Sequence, residues 1–384
     1  MGNTDQQKCQ QIHEAAMKLL AEVGVKYKEP KAIEVLEAHG VRMEGDIAYW
    51  TEEQVLEWAG KAPEVFEMVA SNPKYNITVG GDEVNPSTSY GSPIYAEQDG
   101  TRRPCTMQDY INFAKLFEAN PDYKTNGGLL VQPSDIDTSV GQMAMYYATL
   151  THSEKTRVIP AGKGEFVQAC IDCETLLAGG IDEMRAHPRM ITLVNVITPL
   201  QLDINMTNTL FNMGAAGQAC VVASAAMAGT TTPVTLASTI VYTTAEVIST
   251  IALAQMANPG VPCVFGSVST TADMRTAQIA IGAPENALCE KYVALMADFY
   301  HLPSRAGGAV TDSKIVDAQS GYESMMNLFV DYQYHVNFIL HAAGILDGYA
   351  ASSAAKVIQD FEILRYIKRY FEDIEVNDDT VPMA

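Results

Sequence analysis

The sequence is short of charge. Asp, Glu, Lys and Arg make up 18% of its 384 residues, against roughly a quarter in an average soluble protein. Hydrophobic residues make up 47%, which excludes a disordered chain and implies extensive burial. Positive charge is scarcer still: 25 Lys and Arg stand against 46 Asp and Glu, a net charge of −21. That balance repels phosphate backbones and anionic lipid, so neither nucleic acid nor a membrane is an expected partner. Metal-binding patterns are missing too. The seven His show no His-Glu-x-x-His and no paired spacing, and Cys170 and Cys173 share one helical stretch without a second Cys pair. The seven Cys lack framework spacing, which suits a reducing cytoplasm. There is no Gly-x-Ser-x-Gly elbow for a serine nucleophile. Met1 to Lys8 hold no apolar core, so no secretory leader is expected.

Charge is also absent locally. Between Asp203 and Asp273 the sole charged residue is Glu246. Thr230-Thr231-Thr232-Pro233, Asn258-Pro259-Gly260 and Pro262 break the run, so the region reads as the interior of a helix-covered sheet, not as a membrane span.

What is present is a repeating unit. Residues 5–23 carry Ile12, Ala15, Ala16, Leu19, Leu20 and Val23 at helical spacing, stopped by Gly24. A second helix is expected over 30–38, and Thr51-Glu52-Glu53-Gln54 opens a third with a capping box. From Phe66 to Glu97, short alternating runs such as Tyr75 to Val79 and Thr88 to Tyr90 signal hairpins. Beyond Thr106, apolar runs of strand length alternate with helical stretches. The runs begin near Leu129, Val158, Ile191, Val221, Val264, Arg305 and Phe338, 29 to 43 residues apart. Such spacing predicts an α/β fold, a TIM (β/α)8 barrel, with the eighth strand placed at Gly348-Tyr349-Ala350-Ala351. The expected domains are an N-terminal layer of helices and small β elements (1–105) and the barrel (106–384). A doubly wound sheet fits less well, because no Gly-x-Gly-x-x-Gly follows the first strand.

Barrel active sites form at the C-terminal ends of the strands. Three ionisable residues stand out there. Glu246 is either hydrogen-bonded in the core or directed at a site. Asp312 falls in the Gly-rich stretch Gly307 to Lys314. His341 ends the most apolar late strand and is either a core histidine or a site residue.

Several ordered motifs resemble the trimethylamine methyltransferase superfamily. They are Gly229-Thr230-Thr231-Thr232-Pro233, Ala245-Glu246-Val247, Pro259-Gly260-Val261-Pro262, Asp273-Met274-Arg275-Thr276 and Gly282-Ala283-Pro284-Glu285. Thr311-Asp312-Ser313-Lys314, Asp317 to Glu323, His341-Ala342-Ala343-Gly344 and, near the N-terminus, Asp99 to Pro104 continue the series. The resemblance covers nearly the whole chain and implies a TIM barrel. Trimethylamine-specific members carry pyrrolysine, and this chain has only standard residues. The implied branch therefore takes methyl groups from quaternary amines such as betaines and passes them to the reduced cobalt of a corrinoid (cobalamin) protein. No cofactor would be held tightly; the partner supplies the corrinoid. Members usually continue past the last helix seen here, so a C-terminal segment is expected to be missing. A barrel that binds betaine without catalysis, or a demethylase of another methylated substrate, is the alternative.

Under that resemblance, Tyr90, Tyr95 and Phe265 are expected as aromatic walls for the cation. Asn195, Arg275 and His341 are the expected carboxylate donors, and Glu246 and Asp312 the polar or catalytic members. Arg275 is otherwise a surface residue opening the next helix. The chain is expected to form a homo-oligomer.

Overall fold

The computed structural model describes residues 2–377 and 379–381. Eight parallel strands form its centre: β1 (Asn85–Pro86), β2 (Thr125–Gly127), β3 (Thr156–Ile159), β4 (Met190–Val196), β5 (Ala219–Ser224), β6 (Cys263–Ser267), β7 (Ser304–Ala306) and β8 (Phe338–Ile339). Strands β2 to β8 pair in sequence order, and β8 pairs with β1. Between β1 and β2 no ladder forms. That seam is closed by loops and side chains: Thr125 Oγ1 donates to Ser87 Oγ (2.6 Å), Ser89 Oγ to the Leu130 carbonyl (2.8 Å), and Gly91 N to the Leu129 carbonyl (2.6 Å).

Alternation along the strands explains which residues face inward. Ile191 and Leu193 of β4, Ala219, Val221 and Ala223 of β5, Val264 of β6 and Phe338 of β8 pack together inside. The intervening Val194, Val196, Cys220, Val222, Cys263 and Phe265 belong to the outer core beneath the helices. A hairpin of Phe66–Met68 and Ile77–Val79 packs into the inner cluster from the N-terminal end of the barrel. Residues 77–79 thus pair backwards with 66–68, and Thr88 to Tyr90 follow β1 without forming a hairpin partner.

Among the described residues, twelve α-helices surround this sheet. N-terminal α1 (Asn3–Glu22), α2 (Pro30–Ala38) and α3 (Glu52–Ala59) are those the periodicity predicts, and the Thr51–Gln54 capping box is present. They are followed by α4 (Met107–Ala119), α5 (Thr138–His152), α6 (Gly164–Ala178), α7 (Ile181–Ala186), α8 (Ile204–Ala215), α9 (Leu236–Ala257), α10 (Pro284–Phe299), α11 (Ala318–Gln333) and α12 (Ala354–Phe371). Helix α9 corrects the reading of the uncharged region: it runs unbroken for 22 residues and is long and apolar enough to cross a membrane. Here it is a core helix, packed under α1, α2 and α3 and against β5 and β6.

Two strand positions also differ from the sequence reading. The eighth barrel strand is Asn85–Pro86, inside the segment assigned to the N-terminal layer. Residues 348–350 form a turn, and Ala351–Ser352 pairs with Ile345–Leu346 and with Ile94–Ala96 in a separate four-stranded sheet. A two-residue strand containing Pro carries no apolar run to detect. Likewise the first predicted run, Leu129 to Val131, lies just past β2, whose own residues Thr125-Asn126-Gly127 are polar or lack a side chain.

Candidate active site

Strand β7 places a charge inside the barrel. Its neighbours set the face: Arg305 is in register with Gly266 of β6 and Phe338 of β8, while Ala306 packs outward with Ala294 and Leu328. The Arg305 side chain is fully buried. Its Nη1 donates to the Ser267 carbonyl (2.8 Å), and its Nη2 lies 2.9 Å from His341 Nδ1. An arginine only donates, so His341 Nδ1 is the acceptor and the imidazole proton sits on Nε2. Burial, and next the Arg305 charge, hold the His341 pKa well below its usual value, so the ring is neutral.

The loop after β8 presents this ring in an unusual backbone. His341 has φ +72°, a left-handed conformation rare outside Gly. It is over-determined by hydrogen bonds. His341 N donates to the Thr88 carbonyl (2.9 Å), Ala342 N to the Ser87 carbonyl (3.2 Å) and Tyr123 Oη to the Ala342 carbonyl (3.0 Å). Gly344 N donates to Asp360 Oδ2 (2.8 Å), and Asp360 is in turn paired with Lys356.

Two tyrosines flank the histidine. The Tyr90 ring meets His341 edge-on at 5.9 Å, and the Tyr349 ring lies 4.8 Å from it on a tilt of 53°. Burial raises both phenol pKa values, so both hydroxyls stay protonated. Tyr90 can lie there because Gly128 has no side chain: a Cβ would come within 2.9 Å of the Tyr90 ring. Asn195 sits two residues above Leu193 on β4 and is exposed. Its register partner Ala223 and the next, Gly266, separate it from Arg305 with minimal bulk.

Glu290 of α10 and Asp331 of α11 complete the charged group. Both are buried, and Asn286 Nδ2 donates to Glu290 Oε1 (2.9 Å). Burial raises the Glu290 carboxyl to about 8, with Asn286 and Arg305 opposing. Asp331 is raised by burial and then by the Glu290 charge.

Of the residues singled out from sequence, Tyr90 and His341 are brought into contact, with Asn195 at the same end of the barrel. Phe265, Tyr95 and Arg275 are elsewhere. Phe265 points outward from β6 and stacks 6.1 Å from Tyr300; Val264 takes the inward position beside it. Tyr95 lies under Arg103 (4.4 Å) and against Phe113. Arg275 is exposed in the turn between Thr270–Ala272 and Ile279–Ala280, the surface alternative.

Glu246 realises its hydrogen-bonded alternative. Its carboxylate accepts from Thr198 Oγ1 (2.8 Å), Ser224 Oγ (2.6 Å) and Leu200 N (2.7 Å), tying the loop after β4 to β5. Asp312 does similar work. It accepts from Ile281 N (3.1 Å) and Gly282 N (3.0 Å), and Glu323 accepts from Asp312 N (2.9 Å).

Sequence reasoning missed Arg305, Tyr349, Glu290 and Asp331. The signal for Arg305 was a charge inside a short strand-like run. Among the described residues, no three His, Cys, Asp or Glu cluster as metal ligands would.

The trimethylamine methyltransferase (MTTB) family model matches residues 1–384. The chain belongs to this family. Glycine betaine methyltransferase of Desulfitobacterium hafniense (strain Y51) is 42% identical over 368 residues, spanning 95% of this chain and 77% of that protein. The proline betaine:corrinoid methyltransferase of Eubacterium limosum is 29% identical over 379 residues, with 96% and 77% covered. In fold, the family member is similar to the Methanosarcina barkeri monomethylamine methyltransferase (MtmB), with a TM-score of 0.56 and 12% identity over 96% of this chain and 85% of that one. That likeness bears on the barrel alone.

Proposed function

We propose that the protein moves a methyl group from a small betaine-type quaternary amine to the reduced corrinoid of a cognate carrier protein. The observation that carries this reading is the Arg305–His341 pair set between the rings of Tyr90 and Tyr349 at the strand C-terminal end. A fixed organic cation is met by aromatic faces. Its carboxylate is met by donors, here the His341 Nε2–H and the Asn195 amide. Family membership and the betaine-named relatives point the same way.

The chemistry asks little more of the chain. The leaving group is a neutral tertiary amine, so no general acid is needed to protonate it. The tyrosine faces orient one methyl group, the donors fix the other end, and the buried surround excludes water. Glu246 and Asp312 hold the loops that frame the mouth. The carrier's corrinoid supplies the cobalt nucleophile.

A carrier has to approach over the strand C-terminal face. The loops there expose apolar side chains: Ile197 after β4, Val234 after β5, Met274 after β6, and Ile315 and Val316 after β7. Val234 and Met274 are 68% and 67% exposed, and both border Gly229. Such a rim suits an apolar macrocycle in a carrier domain. We place the enzyme in the cytoplasm as a homo-oligomer, with no tightly held cofactor. The test is turnover: a betaine panel offered with the reduced cognate carrier, methylation being followed by the corrinoid spectrum. No turnover with any member overturns the reading.

A further inference from the structure

Four buried polar atoms without a hydrogen-bond partner belong to three neighbouring residues: Glu290 Oε2, Asp331 Oδ1 and Oδ2, and Arg305 Nε. They meet where α10 and α11 pack on each other and α10 packs on β7. Gly307, two residues past Arg305, leaves the space: a Cβ there would lie 2.9 Å from Glu290 Oε1 and 3.7 Å from the Tyr349 hydroxyl. Two ionised carboxylates beside one guanidinium would leave a buried excess of negative charge and acceptors with no donor, at a cost of several kcal/mol. One proton held between them removes the excess charge and gives two of the three orphaned oxygens a partner. The protonated carboxyl donates, the other accepts, and a single negative charge balances Arg305.

We propose that Glu290 and Asp331 share one proton and, as a monoanion, position Arg305 so that its guanidinium holds the His341 ring. This rests on the reading of His341 as a substrate donor. Both are positioning residues. Arg305 also holds the Ser267 carbonyl, so a guanidinium displaced by uncompensated charge releases His341 Nδ1 and with it the Nε2–H tautomer.

The other titratable groups around the pair do not titrate near neutrality. Tyr349, Tyr332 on α11 and Cys289 on α10 are all raised far above it by burial, and Arg305, though lowered by burial, stays a cation. A transition in kcat/KM near pH 8 therefore belongs to the pair. The sign follows from the raised value. The shared proton stabilises the fold at low pH, and that contribution is lost as pH rises from the ordinary carboxyl range through about 8.

The experiment uses Glu290→Gln, Asp331→Asn and the double variant in the full chain. Each single amide mimics the protonated partner and leaves one negative charge, so each single variant is expected to lose at least about tenfold less kcat/KM at pH 7 than the double variant. The double variant leaves Arg305 unbalanced and is expected to lose more than about 100-fold, or to fail to fold while both singles fold. Wild type should lose kcat/KM above pH 8, and both singles should lack that limb. Thermal stability against pH gives a second readout, falling toward pH 8 more steeply in wild type than in Glu290→Gln, where the buried Asp360 and Lys155 still contribute their own pH dependence. A single variant as damaged as the double overturns the proposal, since it means both carboxylates are ionised, as around a bound cation. So does a basic limb that persists in Glu290→Gln. If wild type turns over no betaine, the functional reading fails, and the stability titration still decides the pair.

Discussion

The guanidinium of Arg305 lies 2.9 Å from His341 Nδ1, at one end of a barrel whose inner cluster is aliphatic and aromatic. This one hydrogen bond fixes the imidazole tautomer and leaves the Nε2–H as the donor. Replacing Arg305 with Lys keeps the charge and removes the two-pronged geometry. Arg305→Lys is expected to lower kcat/KM by about 10- to 100-fold, an effect of roughly 1.5–3 kcal/mol. Activity within twofold of wild type would remove Arg305 from the site.

Tyr90 and Tyr349 are expected to act through their faces. Tyr90→Phe and Tyr349→Phe keep the ring, while Tyr90→Leu and Tyr349→Leu remove it. The Leu variants should raise KM for a quaternary amine by about 3- to 30-fold, as a cation–π contact of 0.5–2 kcal/mol requires. The Phe variants should stay close to wild type. Equal losses in both would assign the hydroxyl, not the face.

Gly128 has φ +78°, and its missing side chain makes room for the Tyr90 ring. Gly128→Ala brings backbone strain and a collision together, so a stability loss of at least about 1–2 kcal/mol is expected, together with a raised KM. Calorimetric unfolding and steady-state kinetics measure both. A stable variant with unchanged KM would show that Tyr90 does not depend on this gap.

Glu246 accepts three hydrogen bonds in a buried setting. Glu246→Ala should cost about 3 kcal/mol and Glu246→Gln less, since the amide still accepts. Loss of all turnover without any loss of stability would return Glu246 to the reacting groups.

Much of this was legible in the chain. The strand spacing from Val158 to Phe338 marks six of the eight barrel strands within a few residues, because parallel strands covered on both faces are largely apolar. Asn85–Pro86 was not legible: a strand of two residues has no period. Tyr90 and His341 were found from a resemblance and from a strand end. Tyr349 was lost because its stretch was taken for the missing strand. Glu290 and Asp331 stand on amphipathic helices, where a carboxylate reads as solvent-facing until packing shows it buried.

The exposed rim offers a separate check. Met274→Asp and Val234→Asp place charge on the apolar loops without touching the Arg305–His341 group. They should raise KM for the carrier protein several-fold and leave betaine affinity as it was, since rim residues act on encounter. Equal loss of both affinities would mean that the rim belongs to the substrate site.

The central claim is tested most directly by mixing the protein with its reduced corrinoid carrier and a panel of betaines, and following methylation of the corrinoid by its spectrum. Transfer from at least one betaine, weakened about 10-fold or more in Arg305→Lys and His341→Asn but not when the carrier is offered in excess to Met274→Asp, is the expected result. Betaine binding by calorimetry with no methyl transfer to any carrier would contradict it, and would make the barrel a binding protein.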